Sequence, residues 1–285
     1  MEKLKMTCIF CIFLAIFSFT VTEAIATGNG GEDFMAGALP PPGLYYLNYV
    51  NYYTSDTMKD SNGNKQNISF KLNSAVDLSR FLYVTKYKLL GADYAVHMAL
   101  PLVNVNMKNP AFDKSKFDLA NVTITPVLLA WHINNLHLAF GIDLELPTGN
   151  HEKNAPLNVA QGNMGTELAV AYTYLFDKTG MEVSGKIMYD IQSKNFDDDA
   201  KNASYFHLDN LIGVHFDKWK LGVNSYYYKE TTENALNVKG QVFGIGPAIG
   251  YEYNHINFAL KYQREMLAEN RPQGDSFWFK VAIPF

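Results

Sequence analysis

Charged and imidazole side chains in this sequence tend to fall at alternate positions, each opposite an apolar neighbour. Asp93, His97, His137, Asp143, Glu145, Glu167, Glu182, Lys186, Asp190, His207, Asp209, His215, Lys220, Glu252 and Lys261 all lie in such settings. Two kinds of chemistry are open to them. A polar row can line a water-filled passage, or a serine beside a histidine can act as a nucleophile. Ser184, Ser225 and Ser276 lie in the same kind of segment, but none sits in a recognisable nucleophile motif. The sequence holds neither a His-Glu-x-x-His zinc signature nor a phosphate-binding loop. Gly244, Gly246 and Gly250 complete no dinucleotide fingerprint and are expected to relieve crowding instead. The run Asp197-Asp198-Asp199 could hold a divalent cation, although a solvated loop tip accounts for it more simply. No catalytic group, metal or cofactor is expected.

The elements carrying these residues are strands. In residues 135–147 Leu136, Leu138, Phe140, Ile142, Leu144 and Leu146 share one face, and His137, Ala139, Gly141, Asp143 and Glu145 the other. Successive strand side chains point to opposite faces, whereas a helix would scatter the leucines round its axis. The alternation returns with Leu168, Val170, Tyr172 and Tyr174, and again with Val183, Ile187 and Tyr189. It recurs with Ile256, Phe258, Leu260 and Tyr262, and in the closing Phe277, Phe279, Val281, Ile283 and Phe285. Strands are predicted at 44–54, 72–88, 92–106, 117–132, 135–147, 164–176, 180–192, 205–217, 218–229, 239–254, 255–266 and 273–285. The outward face of 44–54, with tyrosines on both sides, and that of 117–132, equally apolar on both sides, stay unassigned. Pro126 and Pro247 lack an N–H and predict a bulge or a strand end.

Tight joints at 89–91, 133–135, 177–180, 217–218 and 254–255 alternate with longer polar ones such as 54–69, 148–163 and 193–204. Short turns on one side and long loops on the other mark an up-and-down barrel of the outer-membrane type. Aromatics near the tight turns (Tyr87, Trp131, Phe176, Phe216, Trp219, Tyr253) and near the long loops (Tyr52, Tyr53, Tyr205, Tyr226, Tyr227) predict two interfacial belts. A soluble β-sandwich explains the alternation but not this rhythm, the belts and the terminal Phe285 together.

Lys3 and Lys5 precede an apolar run over 6–19, followed by small residues at Ala24 and Ala26. That pattern predicts a secretory signal peptide over 1–24, because about 14 residues fall short of the roughly 20 a helix needs to cross a bilayer. Both cysteines, Cys8 and Cys11, lie within it, so no disulfide or thiolate site is expected beyond it. The net charge of −4 and the lack of a basic stripe argue against nucleic acid as a partner. Eighteen tyrosines and nineteen phenylalanines within only 48% hydrophobic residues suit strands that spread their apolar groups.

The expected fold is therefore all-β: a transmembrane antiparallel up-and-down barrel of about twelve strands over 44–285, in the bacterial outer membrane. Eight strands are filled by side chains and sixteen leave an open pore, so about twelve should leave a narrow lumen. Asp93, His97, His137, Asp143, Glu145, Glu167, Glu182, Lys186, Asp190, Glu252 and Lys261 are expected to line it and meet solute. Polar packing inside a closed barrel is the alternative. Residues 25–43, with Gly30-Gly31, Glu32-Asp33 and Pro40-Pro41-Pro42, form either a lumenal plug or a periplasmic tail. Expected partners are outer-membrane lipid and lipopolysaccharide, a small solute, and the barrel-assembly machinery through Phe285.

Several stretches bear this out as a family pattern. Leu39-Pro-Pro-Pro-Gly-Leu-Tyr, Gly91-Ala-Asp-Tyr-Ala-Val-His-Met-Ala-Leu-Pro, Phe140-Gly-Ile-Asp-Leu-Glu-Leu-Pro-Thr-Gly149, Gly246-Pro-Ala-Ile-Gly-Tyr-Glu-Tyr and the ending from Gly274 span nearly the whole chain after the signal. The sequence resembles the bacterial outer-membrane transporters associated with the MetA pathway of phenol degradation. That resemblance implies passage of small, rather hydrophobic or aromatic molecules, and it supplies no set of binding residues. An outer-membrane enzyme of lipase or protease type and a structural or adhesive barrel are the other readings.

Overall fold

The computed structural model describes residues 29–153, 155–197 and 199–285; the predicted signal peptide lies outside them. Every named element is a strand: β1 (Gly43–Met58), β2 (Lys71–Leu89), β3 (Ala92–Lys108), β4 (Asp113–Leu119), β5 (Val122–Ile133), β6 (Leu136–Leu146) and β7 (Gly165–Phe176) come first. They are followed by β8 (Met181–Gln192), β9 (Tyr205–Phe216), β10 (Trp219–Glu230), β11 (Gln241–Tyr253), β12 (Ile256–Glu269) and β13 (Pro272–Pro284). Each pairs antiparallel with its neighbours, and β1 pairs with both β2 and β13, which closes the sheet. Both β4 and β5 pair with β3, at its far and near halves. They form one wall position broken at Ala120-Asn121, so the barrel has twelve staves. Closure leaves no edge and satisfies the backbone within the wall, as a membrane requires.

The tight turns use left-handed backbone. Leu90 and Gly91, and Asn254 and His255, have positive φ at both central positions, as a two-residue type I′ hairpin demands. On the opposite side, Asn270-Arg271 alone joins β12 to β13. The expected unbroken alternation of short and long joints therefore fails there, because β12 runs on to Glu269, past the predicted end.

Burial fixes the faces. Leu168, Val170, Ile187, Ile212, Val223 and Leu260 are more than one third exposed, whereas their strand neighbours point inward and are buried. On β1 the outward set is Leu44, Tyr46, Val50 and Tyr52; Tyr45, Tyr49, Asn51 and Tyr53 face in. β5 changes face part-way. The ladders slip between Ile124 and Val127 and between Ala95 and His97, which places a bulge at Pro126. Val122 and Ile124 face out before it, and Val127 and Trp131 after it, while Leu128 turns in to the cavity, so neither alternate set read from the sequence keeps to one face. The register at Pro247 runs straight past Val223, and the ladder to β12 lapses at 246–247 instead.

Two expectations need correction. Tyr53, Tyr205 and Tyr226 do not join the outer belt: Tyr53 and Tyr226 donate to Glu265 inside the barrel, and the Tyr205 ring packs tilted against Tyr228, their centres 4.8 Å apart. Nor is the inner face polar all round. Leu72, Val76, Val103, Val105 and Met107 on β2 and β3 form an apolar cluster with Leu157 and Val159 from the loop folded over that mouth.

The outward face gives a direct check. Val170, 45% exposed at the middle of β7, would place a charge in hydrocarbon if replaced by arginine. Folding of Val170→Arg into liposomes should be about 2–4 kcal/mol less favourable than wild type, as read by urea titration of tryptophan emission. Arginine there without cost would put the wall inside out.

Candidate functional site: a charged lumen around the N-terminal segment

Residues 29–39 run inside the barrel, and the wall grips them by complementary chemistry. Asp209 accepts the N–H of Gly30 at 3.0 Å and that of Glu32 at 2.9 Å. Glu182 accepts the Met35 N–H at 2.5 Å, and Thr173 Oγ1 that of Gly37 at 3.0 Å. From the other side Lys261 Nζ donates to the carbonyls of Gly30, Gly31 and Glu32 at 2.6, 2.9 and 2.7 Å. Asp33 pairs with Lys280 at 2.5 Å, and Glu32 lies 3.8 Å from Lys186 and 4.0 Å from Arg80. The cations come mainly from the contiguous arc β12–β13–β1–β2 and the acids from β6–β9 across from it. The segment presents carboxylates and carbonyls to the first and N–H groups to the second. Gly30 makes the approach possible. Its φ is +77°, and a Cβ there would sit 2.2 Å from Gln263 Nε2.

An apolar anchor completes the grip. Phe34, 6% exposed, clusters with Leu211 and Ala248. Its ring rests in a hollow on β9, β10 and β11 where Gly213, Gly222 and Gly250 carry no side chain. Cβ atoms there would meet the ring at 2.7, 3.3 and 3.3 Å. His215 stands edge-on to it, 6.2 Å away. The crowding relief expected of the glycines therefore has an identified beneficiary at Gly250, while Gly244 lies under the Tyr226 ring.

Among the predicted lumen residues, His97, Asp143, Glu167 and Lys186 come together. Lys186 lies 2.8 Å from Glu167 and 3.9 Å from Asp143, and His97 lies 3.7 Å from Asp143, with Thr125 hydrogen-bonded to both. Arg80 reaches the His97 ring at 2.8 Å. Asp143, Glu167 and Asp190 stand directly opposite one another across β6, β7 and β8. Glu182 binds His215 and Ser184 beneath the segment, and Glu145 accepts from Asn121 at 3.1 Å. Asp93 and His137 lie apart at the tight-turn rim, where His132 bonds His137 at 2.7 Å and Lys88 pairs with Asp93 at 2.9 Å. Glu252 lines the cavity at that end.

Glu32, Asp33, Phe34, Arg80 and Lys280 were not foreseen. Lys280 was readable, since it alternates with Phe279 and Val281. Arg80 was hidden because it shares its face with Leu78 and Leu82.

Burial alone would raise the Glu32 pKa, but the charges of Lys186, Arg80, Lys280 and Lys261 outweigh it and hold the carboxyl below its ordinary value. A carboxylate with a depressed pKa stabilises the docked segment fully above its ordinary pKa and loses that contribution as pH falls through the depressed value. Docking should thus be constant near neutrality and weaken only in acid, below the usual carboxylate range. Protease access to the segment as a function of pH checks this; weakening on going alkaline from neutrality would contradict it.

None of the serine candidates is hydrogen-bonded to a histidine among the described residues. Ser184 Oγ bonds Glu182 and Thr173, Ser276 Oγ bonds Asn51, and Ser225 lies on the outer face. Asp197 is engaged by His151 at 2.9 Å in a loop-to-loop contact.

Two cavities flank the segment and share no lining residue. One, of about 850 Å³ at the tight-turn end, is bounded by Glu32–Ala36, Arg80, Lys186 and Lys280, with an apolar wall that includes Leu82, Leu128, Ala139 and Ala171. The other, of about 290 Å³ toward the loops, is bounded by Asn29, Tyr53, Tyr226 and Trp278.

The family described as the putative MetA-pathway of phenol degradation matches residues 55–281. The chain belongs to this family. No curated protein matches its sequence. Among solved structures, an outer membrane channel from Pseudomonas putida F1 superposes with a TM-score of 0.80 at 17% identity, covering 89% of this chain and 99% of that one. The β domain of the Bordetella autotransporter BrkA follows, with a TM-score of 0.57 at 11% identity over 86% and 100%. The translocator domain of autotransporter NalP from Neisseria meningitidis gives 0.50 at 9% over 86% and 90%. The family member described here is thus a closed antiparallel barrel of twelve staves, as the alternating sequence predicts.

Proposed function

We propose that this barrel is a passive channel for small apolar or aromatic solutes, with residues 29–39 as its internal plug. The observation that carries this reading is the pair of cavities of about 850 and 290 Å³, stacked on either side of that segment. Each has a size suited to a small molecule, and the segment lies between them, among buried wall side chains such as Gln263 and His207 that line neither. His97, Asp143, Glu167, Glu182, Lys186, Asp190 and Lys261 line the gated level, Asp93, His137 and Glu252 its periplasmic side, and Glu145 its outer side. Membership of a family named for phenol degradation, and the likeness to an outer membrane channel from Pseudomonas putida F1, support the solute class and the activity. The serine geometry favours this over a hydrolase.

Assembly follows the same logic. Phe285, 76% exposed at the tight-turn rim with its N–H on Leu44, is offered to the assembly machinery. The loops on the opposite side face lipopolysaccharide.

Uptake of radiolabelled phenol and toluene into liposomes carrying the purified protein tests the proposal. Entry well above that into empty liposomes is expected. Equal entry, with hydrolysis of lipid or peptide instead, would reject it.

A further inference from the structure

The plug's two carboxylates occupy a place built for a carboxylate. Glu32 and Asp33 lie against Arg80, Lys186 and Lys280, in the wall of the larger cavity. The fit of Glu32 is loose. It stands 4.0 Å from the Arg80 guanidinium and 3.8 Å from Lys186, where a charge-assisted hydrogen bond closes to about 2.7–2.9 Å. Arg80 Nε is buried without a hydrogen-bond partner, as is Asp33 Oδ2. Withdrawal of the segment would leave three cations around a cavity whose remaining wall sets leucines and alanines such as Leu82, Leu128, Ala139 and Ala171 among further polar groups. Lys186 keeps Glu167 at 2.8 Å, but Lys280 would lose Asp33 and Arg80 would lose Glu32, and a buried cation left without its anion is costly. An anion with a flat apolar body satisfies both surfaces at once.

We propose that Arg80, Lys186 and Lys280 form a carboxylate-binding subsite, filled in this state by Glu32 and Asp33, and that a small aromatic carboxylate takes it in competition with the plug. This rests on the channel reading and narrows its solute class from neutral aromatics to anionic ones. The plug then acts as a tethered stand-in for the solute. Solute binding and plug release are one exchange of carboxylates over the same cations.

Single-channel recording with benzoate as the probe, and benzyl alcohol as its uncharged counterpart, tests it. Millimolar benzoate should raise the open fraction about tenfold above the benzyl alcohol level. The double variant Arg80→Met, Lys280→Met should erase that difference. Glu32→Gln with Asp33→Asn, which removes the tethered competitor, should instead lower the half-effective benzoate concentration about tenfold. Heat-shifted migration on gels confirms that each variant is folded; if the first is not, the second decides. An equal response to the two probes, or an unchanged benzoate response in either folded double variant, overturns the subsite and leaves the channel standing. No current from wild type under any condition removes the channel reading itself.

Discussion

Phe34→Ala should convert a mostly closed barrel into one that conducts. The ring is the segment's most deeply buried large apolar group, 6% exposed in a hollow formed by three glycines, while Leu39 at the segment's end is only partly buried against the wall. Removing a buried phenylalanine costs about 3–5 kcal/mol in a core. Here that cost falls on docking and not on the barrel, because the three strands under the ring are already joined by their own ladders. A loss of about 3 kcal/mol multiplies the undocked fraction by more than a hundred, at about 1.4 kcal/mol per factor of ten. Planar-bilayer recordings should show long open events in Phe34→Ala where wild type shows brief ones, with unchanged heat-shifted migration. Wild-type gating would mean that Phe34 anchors nothing.

Lys261→Met should release the same segment through polar chemistry. The ammonium, 2% exposed, satisfies three consecutive carbonyls and lies 5.4 Å from the Trp278 ring centre. Methionine fills much of the volume but donates nothing. The Gly30 carbonyl keeps the Gln263 Nε2 donor at 3.2 Å, but those of Gly31 and Glu32 lose the Lys261 donor, and each buried acceptor left unpaired costs about 1–3 kcal/mol. The segment escapes that penalty only by leaving, which exposes the Glu32–Asp33 bond. A glutamate-specific protease should cut there many times faster in the variant, by mass spectrometry, while wild type resists. Equal resistance would show that the carbonyls of Gly31 and Glu32 find donors elsewhere.

The barrel itself was legible because lipid imposes a period of two on every stave. Leu136 to Leu146 shows that constraint without interference. It failed where both faces are apolar for different reasons. On β5 the bulge at Pro126 swaps the faces half-way, and no single alternating set describes a strand that changes sides. On β2 and β3 the inner stripe packs against Leu157 and Val159, a contact between residues far apart in sequence. Tyr53, Tyr205 and Tyr226 looked interfacial by position, but their hydroxyls or rings have partners inside.

The candidate site was half visible. Alternation sets Asp143, Glu167, Lys186 and Lys261 opposite the apolar stripes, but it is silent about which of them meet. The plug has no period at all. Its glycines and prolines mark an irregular chain, and its place depends on Asp209, Lys261 and Lys280, more than 170 residues away. The hollow for Phe34 was present in the sequence only as three separated glycines on three strands.

On the proposed function, residues 29–39 stand across the path of solute. Single-channel conductance of a chain lacking 29–38, compared with the intact chain in the same bilayer, tests it most directly. A several-fold larger, steadily open conductance from a folded barrel is the predicted result. Identical conductance and gating in the two would show that the path runs elsewhere.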